Sequence, residues 1–488
     1  MERQSALSLD PGEFRAIGHA LIDDLASLFE ALESPSELPV ATGESVAELQ
    51  SALGDGPLPE HGSPADELVA EARDLLLAHA THIGHPRFWG YVCGSQAAIG
   101  ALAELLAAGV NQNAGGYPLG PMAAEIERQT VRWIAELLGY PPDAGGLFVS
   151  GGNMANFIGF VAARRAKAAG DVRAEGTGGE RLTAYCSAET HTWVQKAADL
   201  FGLGTSSLRW IETDDEQRLR VDALRAAIAA DRAAGAKPFL VIGSAGSVST
   251  GAVDPLRELA ALCTEEGLWF HVDGAYGGFA ACLPEASDDL KALAVADSVA
   301  VDPHKWLYMP VEAGCVLVRD EQALLDAFSY RPPYYHLPEG QLNYFEYGPQ
   351  NSRGFKALKV WLALRQAGRS GYEAMIREDC RLARLLFELA EADPELEART
   401  HGLSITTFRY APRDADEEEF DRLNEELVAR LQTGGEAFLS NAVIDGRYYL
   451  RLCIVNFRTT EADIRALPGI VKRVGAEVAR DALSHARP

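Results

Sequence analysis

The sequence predicts an α/β protein in which a large, mostly parallel sheet is followed by a small C-terminal α+β domain. Between residues 91 and 319, helical patterns alternate with short apolar runs, which is typical of parallel strands covered by helices on both faces. After about Gly371, the pattern changes to one typical of a separate α+β unit. At 488 residues and 47% hydrophobic composition, the chain is long enough to bury more than one core.

The N-terminal part is expected to be helical. The apolar residues of the first predicted helix, within residues 10–32, recur at helical spacing: Phe14, Ile17, Leu21, Leu25 and Leu28. A Pro-, Gly- and Ser-rich connector is expected over residues 34–64, and a second helix over residues 65–82. A helix separated from the rest by such a connector has no evident partner in its own subunit. We therefore expect it to pack on a second copy of the chain in a homodimer.

The large domain is expected to contain strands at LTAYCS, KPFLVIGS, LWFHVDGAY, DSVAVDP and GCVLVRD. The small domain is expected to contain a strand at LSITTFRY, a charged helix at DEEEFDRLNEELVARLQ, strands around AFLSNAV and YYLRLCIV, and a final helix. The domain boundaries predicted from these patterns are 1–90 for the N-terminal segment, 91–370 for the large domain and 371–488 for the small domain.

Composition argues against several classes of partner. The chain has 44 basic and 70 acidic residues, and its net charge of −26 would repel nucleic acid and anionic membrane surfaces. It shows no apolar signal core at its start and no apolar run of the roughly 20 residues that a membrane helix needs. Seven scattered cysteines without a CxxC pair predict reduced thiols in a cytoplasmic protein, and the sequence predicts no metal site.

The segment GGLFVSGGNMANF combines an apolar run, a glycine turn and the start of a helix. Gly151, Gly152 and Asn153 lie where free backbone N–H groups and the positive end of the helix dipole favour a phosphate. A plain glycine turn is the alternative. Neither GxxxxGK[ST] nor GxGxxG is present, so the segment does not indicate a nucleotide.

Four further polar residues lie at the ends of three predicted strands. Asp273 ends LWFHVD, His191 follows LTAYCS, and Lys305 with His304 follows DSVAVDP. Each has an ordinary explanation: a solvated strand-end carboxylate, a loop histidine or a surface lysine. Carboxyl ends of parallel strands share one edge of the sheet, however. The glycine turn, His191, Asp273 and Lys305 are therefore expected to meet there. A phosphate cradle, an aromatic side chain, an anion and a lysine together are what a pyridoxal-phosphate (PLP) site requires.

The chemistry assigns a role to each. Asp273 would keep the pyridine nitrogen protonated, so that the ring can accept electrons from the substrate's α-carbon. His191 would stack on the ring and shield it from water. Lys305 would hold the cofactor as a Schiff base, and its apolar flanks are expected to lower the pKa of the amine by desolvation.

At this point the motifs resemble the PLP-dependent amino acid decarboxylases, a family that includes the aromatic-L-amino-acid, histidine, tyrosine and glutamate decarboxylases. The similar segments, in order, are HPRFWGYV, GPMAAEIERQTVRWIAELLGYP, SGGNMANF, AETHTW, HVDGAYGG, VDPHKWLYMP, NSRGFKALKVWLALRQAG and YYLRLCIVNFRTTEADI. They span about residues 65–475. The resemblance implies the fold-type I, aspartate-aminotransferase-like architecture, a homodimer with sites at the interface, and carboxy-lyase activity on an amino acid.

Residue by residue, the resemblance implies the same roles for Lys305, Asp273 and His191, with Gly152 and Asn153 at the phosphate. It also implies that Ala275 packs on the other ring face and that His304 lies beside the lysine. Tyr344, in QLNYFEYG, is interpreted as a mobile-loop tyrosine that protonates the substrate carbon after carbon dioxide leaves. Its rivals on the same segment are Tyr334, Tyr335 and Tyr347.

Some positions depart from the family pattern. Val248 stands where members acting on aromatic substrates carry a hydroxyl, for which Ser247 is a substitute. Asp302 stands where many relatives have Asn near the phosphate, and its charge is expected to be unfavourable unless it faces away. In the expected substrate wall, Ile83, Val92 and Gly115 replace large rings, while Trp89 and Tyr91 remain.

Other functions remain open from the sequence. An oxygen-dependent aldehyde synthase would use the same scaffold, although Tyr344 argues against it. A PLP-dependent C–C lyase of the sphingosine-phosphate type would want basic residues that this acidic chain does not obviously offer. A non-catalytic scaffold predicts loss of Lys305, Asp273 or His191, and all three are present. The resemblance implies an amino acid as the substrate, with an aromatic one favoured.

Overall fold

The structure is a computed structural model that describes residues 5–33, 38–332, 338, 340–412 and 417–485. The N-terminal segment contains α1 (Pro11–Glu33), α2 (Val46–Leu53) and α3 (Ala65–Ala78). α1 packs on α3, where Arg73 and Asp24 form an ion pair of 2.9 Å. α2 lies within the stretch expected to be a connector. It begins with a capping box in which Ser45 and Glu48 satisfy each other's backbone N–H groups.

The large domain contains a sheet of seven strands within the described residues. They are β1 (Gly145–Val149), β2 (Leu182–Ser187), β3 (Leu208–Ile211), β4 (Lys237–Ser244), β5 (Trp269–Asp273), β6 (Ser298–Val301) and β7 (Gly314–Val318), arranged β1-β7-β6-β5-β4-β2-β3. β7 is antiparallel to both of its neighbours, and the other pairs are parallel. The mostly parallel α/β sheet predicted from the sequence is confirmed. β3 was not predicted, because Arg209 interrupts its short apolar run.

Helices cover both faces of this sheet. The helices of the large domain are α4 (Ala98–Val110), α5 (Pro121–Leu138), α6 (Gly152–Lys167), α7 (Val172–Glu175), α8 (Trp193–Leu200), α9 (Val221–Ala233), α10 (Leu256–Glu266), α11 (Asp288–Lys291), α12 (Pro303–Trp306) and α13 (Glu321–Phe328), of which α4, α7 and α11 pack on other helices. One core lies between the sheet and α5, α9 and α10, and a second lies between the sheet and α6, α8 and α13. Buried on both faces, the strands β1, β2, β6 and β7 consist entirely of buried residues.

The small domain follows a long helix, α14 (Ala357–Ala392). Its other elements are β8 (Leu396–Gly402), β9 (Ile405–Tyr410), α15 (Glu417–Thr433), β10 (Ser440–Ile444), β11 (Arg447–Cys453) and α16 (Glu461–His485). The sheet is antiparallel in the order β10-β11-β9-β8. α14 is interrupted at Gly368, which has φ +64°, close to the predicted boundary at residue 370. The helix packs on α4 and α5 as well as on β8 and β9, so it joins the two domains.

Within the described ranges, no helix combines the length and the apolar character that crossing a membrane would require.

Candidate active site

The carboxyl ends of the parallel strands open into a cavity of about 340 Å³. The structure brings together all of the residues predicted to bind the cofactor, since each of them lines this cavity: Gly152, Asn153, His191, Asp273, Ala275, His304 and Lys305. Their elements explain the convergence. Asp273 is the last residue of β5, α12 follows β6 directly, and His191 lies between β2 and α8.

One end of the cavity is suited to a phosphate. β1 is followed by Ser150 and by Gly151, whose φ of +139° is open to glycine and strained for other residues. α6 then begins at Gly152 and runs for 16 residues, so its free N–H groups and positive dipole end point into the cavity. A side chain at position 152 would lie 2.7 Å from Oδ2 of Asp302 and 3.0 Å from Cβ of Ala275. The backbone therefore approaches the cavity more closely than any other residue would permit.

Asp273 is held by donors on both carboxylate oxygens. The indole N–H of Trp193 donates to Oδ2 at 2.7 Å, and the backbone N–H of Ala275 donates to Oδ1 at 3.1 Å. Trp193 is fully buried at the start of α8 and lines the cavity. The sequence analysis quoted this tryptophan within AETHTW without giving it a role. The two donors fix the carboxylate as an oriented anion, which suits a protonated ring nitrogen.

His191 lies at the same cavity. Desolvation there, reinforced by the charge of Lys305 and opposed by Asp273, lowers the pKa of the imidazole. The backbone N–H of Trp193 donates to Nδ1 at 3.3 Å, so the ring proton of neutral His191 lies on Nε2. A neutral, flat ring is therefore available at the cavity near pH 7.

Lys305 forms an ion pair that was not anticipated. Its Nζ lies 3.0 Å from Oδ2 of Asp302, three residues earlier. Burial lowers the pKa of the amine, but the nearby charges of Asp302 and Asp273 outweigh burial, and the pKa is raised. The prediction that desolvation depresses this pKa is therefore wrong for the unbound lysine. Asp302 faces the cavity and does not face away from it, and Lys305 is its charged partner.

The loop after β4 contains Val248, which stands where some family members carry a hydroxyl, and Ser247, which was expected to substitute for it. Ser247 and Val248 both line the cavity. The hydroxyl of Ser247 lies 2.9 Å from that of Thr250, so it is engaged within the loop. The carbonyl of Val248 accepts a hydrogen bond of 2.5 Å from Arg451 in β11, which ties this loop to the small domain.

Tyr344 does not lie at the cavity. It is 1% exposed, packs in the core between the sheet and α6, and is covered by the guanidinium of Arg353 at 4.8 Å from the ring centre. A side chain enclosed in this way does not reach the cavity of its own subunit in this conformation, and the assignment of Tyr344 as the proton donor stays a prediction. Its rivals Tyr334 and Tyr335 lie outside the described residues.

The expected substrate wall is also absent from the cavity of a single subunit. Trp89 is fully buried in the core of the small domain, where its indole donates to Thr459 at 3.1 Å. Tyr91 is 56% exposed. None of the five residues expected in the substrate wall lines the cavity in the described part of the chain: Ile83, Trp89, Tyr91, Val92 and Gly115.

The fold and the cavity define a PLP-binding α/β enzyme, and comparison with known proteins defines the family. A family model described as the pyridoxal-dependent decarboxylase conserved domain matches residues 48–410. The chain therefore belongs to the pyridoxal-dependent decarboxylase family. It is a PLP-dependent carboxy-lyase that decarboxylates an amino acid, as its resemblance implied.

Individual relatives match over nearly the whole chain. An aromatic-L-amino-acid decarboxylase from Bacillus atrophaeus is 35% identical and covers 97% of each chain. A phenylacetaldehyde synthase from Arabidopsis thaliana is 29% identical and covers 93% of this chain and 94% of its own. The solved structure of Oryza sativa TDC with PLP and tryptamine has a TM-score of 0.89 at 27% identity, covering 97% and 99% of the two chains. The fold-type expectation is thereby confirmed.

The residues present fit PLP. The start of α6 suits its phosphate, Asp273 suits its ring nitrogen, and Lys305 provides the amine that can bond to its aldehyde carbon. When bound, PLP supplies an electron sink for the pair left on the α-carbon of the substrate.

Proposed function

We propose that this decarboxylase acts on an aromatic L-amino acid and releases the corresponding amine and carbon dioxide. The observation that carries the proposal is the convergence of Lys305, Asp273 and the N-terminus of α6 on one cavity. The aromatic substrate class is supported by the relative from Bacillus atrophaeus and by the tyrosine decarboxylases among the matches.

We propose the following roles for the residues that line the cavity. Lys305 bonds to PLP, Asp273 faces the ring nitrogen, and His191 stacks on the ring. Gly152 and Asn153 hold the phosphate, Ala275 packs on the opposite ring face, and His304 lies beside the lysine. Support comes from the paired donors on Asp273 and from the neutral state of His191, which can approach a ring without adding charge.

A second candidate function is the oxygen-dependent conversion of the amino acid to an aldehyde, with release of carbon dioxide and ammonia. It is favoured by the aldehyde synthases among the relatives, which come from Arabidopsis thaliana, Petunia hybrida and Rhodiola rosea at 28–30% identity. Because Tyr344 lies in the core, this tyrosine no longer discriminates between the two outcomes. The products formed under air do discriminate.

The first experiment tests substrate and outcome together. The holoenzyme is incubated with each common amino acid under air, and carbon dioxide, amine, aldehyde and peroxide are quantified. We expect carbon dioxide and amine in equal amounts from at least one aromatic amino acid. Aldehyde with peroxide in place of the amine would establish the oxidative candidate.

Two lysine variants serve as controls in that experiment. Lys305→Ala is expected to abolish turnover and the visible absorption of bound PLP. Lys291→Ala, an exposed lysine that donates to the carbonyl of Pro284, is expected to retain both. Normal absorption and turnover in Lys305→Ala would contradict the proposed role of this lysine.

We also propose that the enzyme is a cytoplasmic homodimer. An apolar strip on α4 is exposed in the single subunit, with Leu102, Leu105, Leu106 and Val110 each 51–59% exposed. All seven cysteines are free and most are buried, which suits a reducing compartment and can be checked by cell fractionation.

A further inference from the structure

Asp302 is a buried carboxylate that faces the cavity. It lies between β6 and α12 and is 1% exposed. Oδ2 lies 3.0 Å from Nζ of Lys305 and 3.9 Å from Nε2 of His304. Oδ1 is also buried, and it has no hydrogen-bond partner among the residues that the structure describes. A buried carboxylate with so few donors is unfavourable unless a charged partner offsets its desolvation, and Lys305 is the cation at contact distance.

The ion pair has a chemical consequence for Lys305. Only the neutral amine can attack a carbonyl carbon, and an adjacent carboxylate favours the ammonium form. Loading of PLP joins the lysine nitrogen to the aldehyde carbon, releases one water, and requires that the ammonium proton be lost to solvent. Asp302 therefore opposes the step that attaches the cofactor, while it holds the amine in place.

We propose that Asp302 is a positioning residue that holds Lys305 as an ammonium ion whenever this lysine is not bonded to PLP, so that loss of this proton limits cofactor loading. The inference rests on the proposed function of Lys305. It concerns Lys305 before PLP is attached to it.

Other titratable groups also surround Lys305 and Asp302, and they remain when Asp302 is replaced. The groups around Lys305 and Asp302 are Asp273, Cys93, His191, His304 and Cys315. Asp273 also raises the pKa of the lysine, but it is held by Trp193 and by the backbone of Ala275. Burial lowers the pKa of Lys305 and so acts against the effect of both carboxylates. Removing the charge of Asp302 therefore shifts the balance towards burial and lowers the pKa of Lys305.

The test measures loading and not turnover. PLP-free wild type and Asp302→Asn are mixed with PLP between about pH 6 and about pH 11, a range that includes the ordinary pKa of a lysine. Samples are reduced with borohydride at intervals, and the fraction of Lys305 carrying the cofactor is measured by peptide mass spectrometry. A parallel series uses pyridoxal, which lacks the phosphate. Asp231→Asn is the matched control, since Asp231 is a buried carboxylate paired with Arg209 at 2.8 Å outside the cavity.

We expect loading to accelerate with pH in all three proteins. The profile of loading rate against pH for Asp302→Asn should be displaced by about 1–3 pH units to lower pH relative to wild type, which makes loading at pH 7 about 10-fold faster or more. The same shift is expected with pyridoxal, and none in Asp231→Asn. Asp302→Ala provides a second variant, and thermal unfolding verifies that each protein is folded.

Three results would overturn the inference, and they are distinguishable. Identical profiles for wild type and Asp302→Asn would mean that Asp302 does not control the amine. A shift seen with PLP but absent with pyridoxal would mean that Asp302 acts by repelling the phosphate. Absence of the cofactor from Lys305 at every pH, with label on another residue, would overturn the proposed role of Lys305 as well.

Discussion

At the scale of single residues, the orientation of Asp273 depends on Trp193. The indole N–H and the backbone N–H of Ala275 each occupy one carboxylate oxygen. A ring cofactor needs the anion at a fixed position, and a carboxylate held by one donor has more freedom to rotate. Trp193 therefore acts on the cofactor through Asp273.

Trp193→Phe is predicted to weaken PLP binding about 10-fold or more, the loss expected for one hydrogen bond to a charged group. Phenylalanine keeps an aromatic ring against Phe160 and removes only the donor. The dissociation constant is measured by titrating PLP-free protein and following absorbance. Trp269→Phe is the control, because the indole of Trp269 donates to Ser298 at 2.8 Å away from the cavity lining. An equal loss in both variants, or none in Trp193→Phe, would contradict the role.

These residues also show what a sequence can and cannot predict about the site. Asp273, His191 and Lys305 could be found because each follows a recognisable strand, and strand ends of one sheet must meet. The bond from Trp193 to Asp273 joins residues 80 apart, and no local pattern encodes it. The burial of Tyr344 could not be predicted, because a segment rich in Pro, Gly and Tyr indicates a loop but does not indicate which of its side chains turn inwards.

At the scale of elements, a buried ion pair fastens the segment after α13 to β1. Arg353 donates to both carboxylate oxygens of Glu127 in α5, at 2.5 and 3.2 Å, and to the carbonyl of Phe148 at 2.6 Å. Glu127 accepts in turn from the backbone N–H of Phe148 at 2.8 Å. Both side chains are nearly inaccessible. Because β1 leads directly into the phosphate end of the cavity, this pair supports the cofactor site from behind.

Arg353→Met is predicted to destabilise the protein by about 3–5 kcal/mol, since it leaves the carboxylate of Glu127 buried without its cation. The free energy of unfolding is measured by chemical denaturation of the PLP-free protein. Tyr344→Phe is the comparison, because it keeps the ring that stacks under Arg353 and is expected to change stability by less than about 1.5 kcal/mol. Equal destabilisation by the two substitutions would show that the ion pair is not what stabilises this region.

Two of the elements that were not predicted, β8 and β3, lack a recognisable pattern of apolar residues. β8 reads LEARTHG, and its single apolar start gives no alternating pattern because only Leu396 is buried. β3 is four residues long and is defined by its pairing with β2 rather than by its own composition. α2 is the exception, since the Ser45 and Glu48 spacing of its capping box is visible in the sequence within the stretch interpreted as a connector.

At the scale of the whole molecule, α1 is poorly buried in a single subunit. Among its 23 residues, only Leu32 is buried, and Phe14 is 62% exposed. Together with α3 it borders an apolar groove of about 240 Å³. The exposed strip on α4 adds to this apolar surface. Surfaces of this kind mark contacts with another chain, and a second copy agrees with the homodimer that we propose.

The negative charge of each subunit opposes formation of such a dimer. Each subunit carries a net charge of −26, so two copies repel one another. Association then depends on apolar burial that exceeds this repulsion, and loss of α1 removes part of that burial. Added salt screens the repulsion and should favour the dimer.

Deletion of residues 1–32 is therefore predicted to convert the dimer into monomer or aggregate and to lower the melting temperature. Deletion of residues 1–10 is the matched control, since it ends just before α1 begins at Pro11 and should leave a dimer. Sedimentation velocity at low and moderate salt measures the assembly, and amine production measures whether the site remains competent. If α1 completes the dimer, the longer deletion loses assembly and activity together, because the apolar surface that α1 contributes to the contact is gone. A soluble and fully active monomer after the longer deletion would show that each cavity works alone and that α1 covers something other than a second copy.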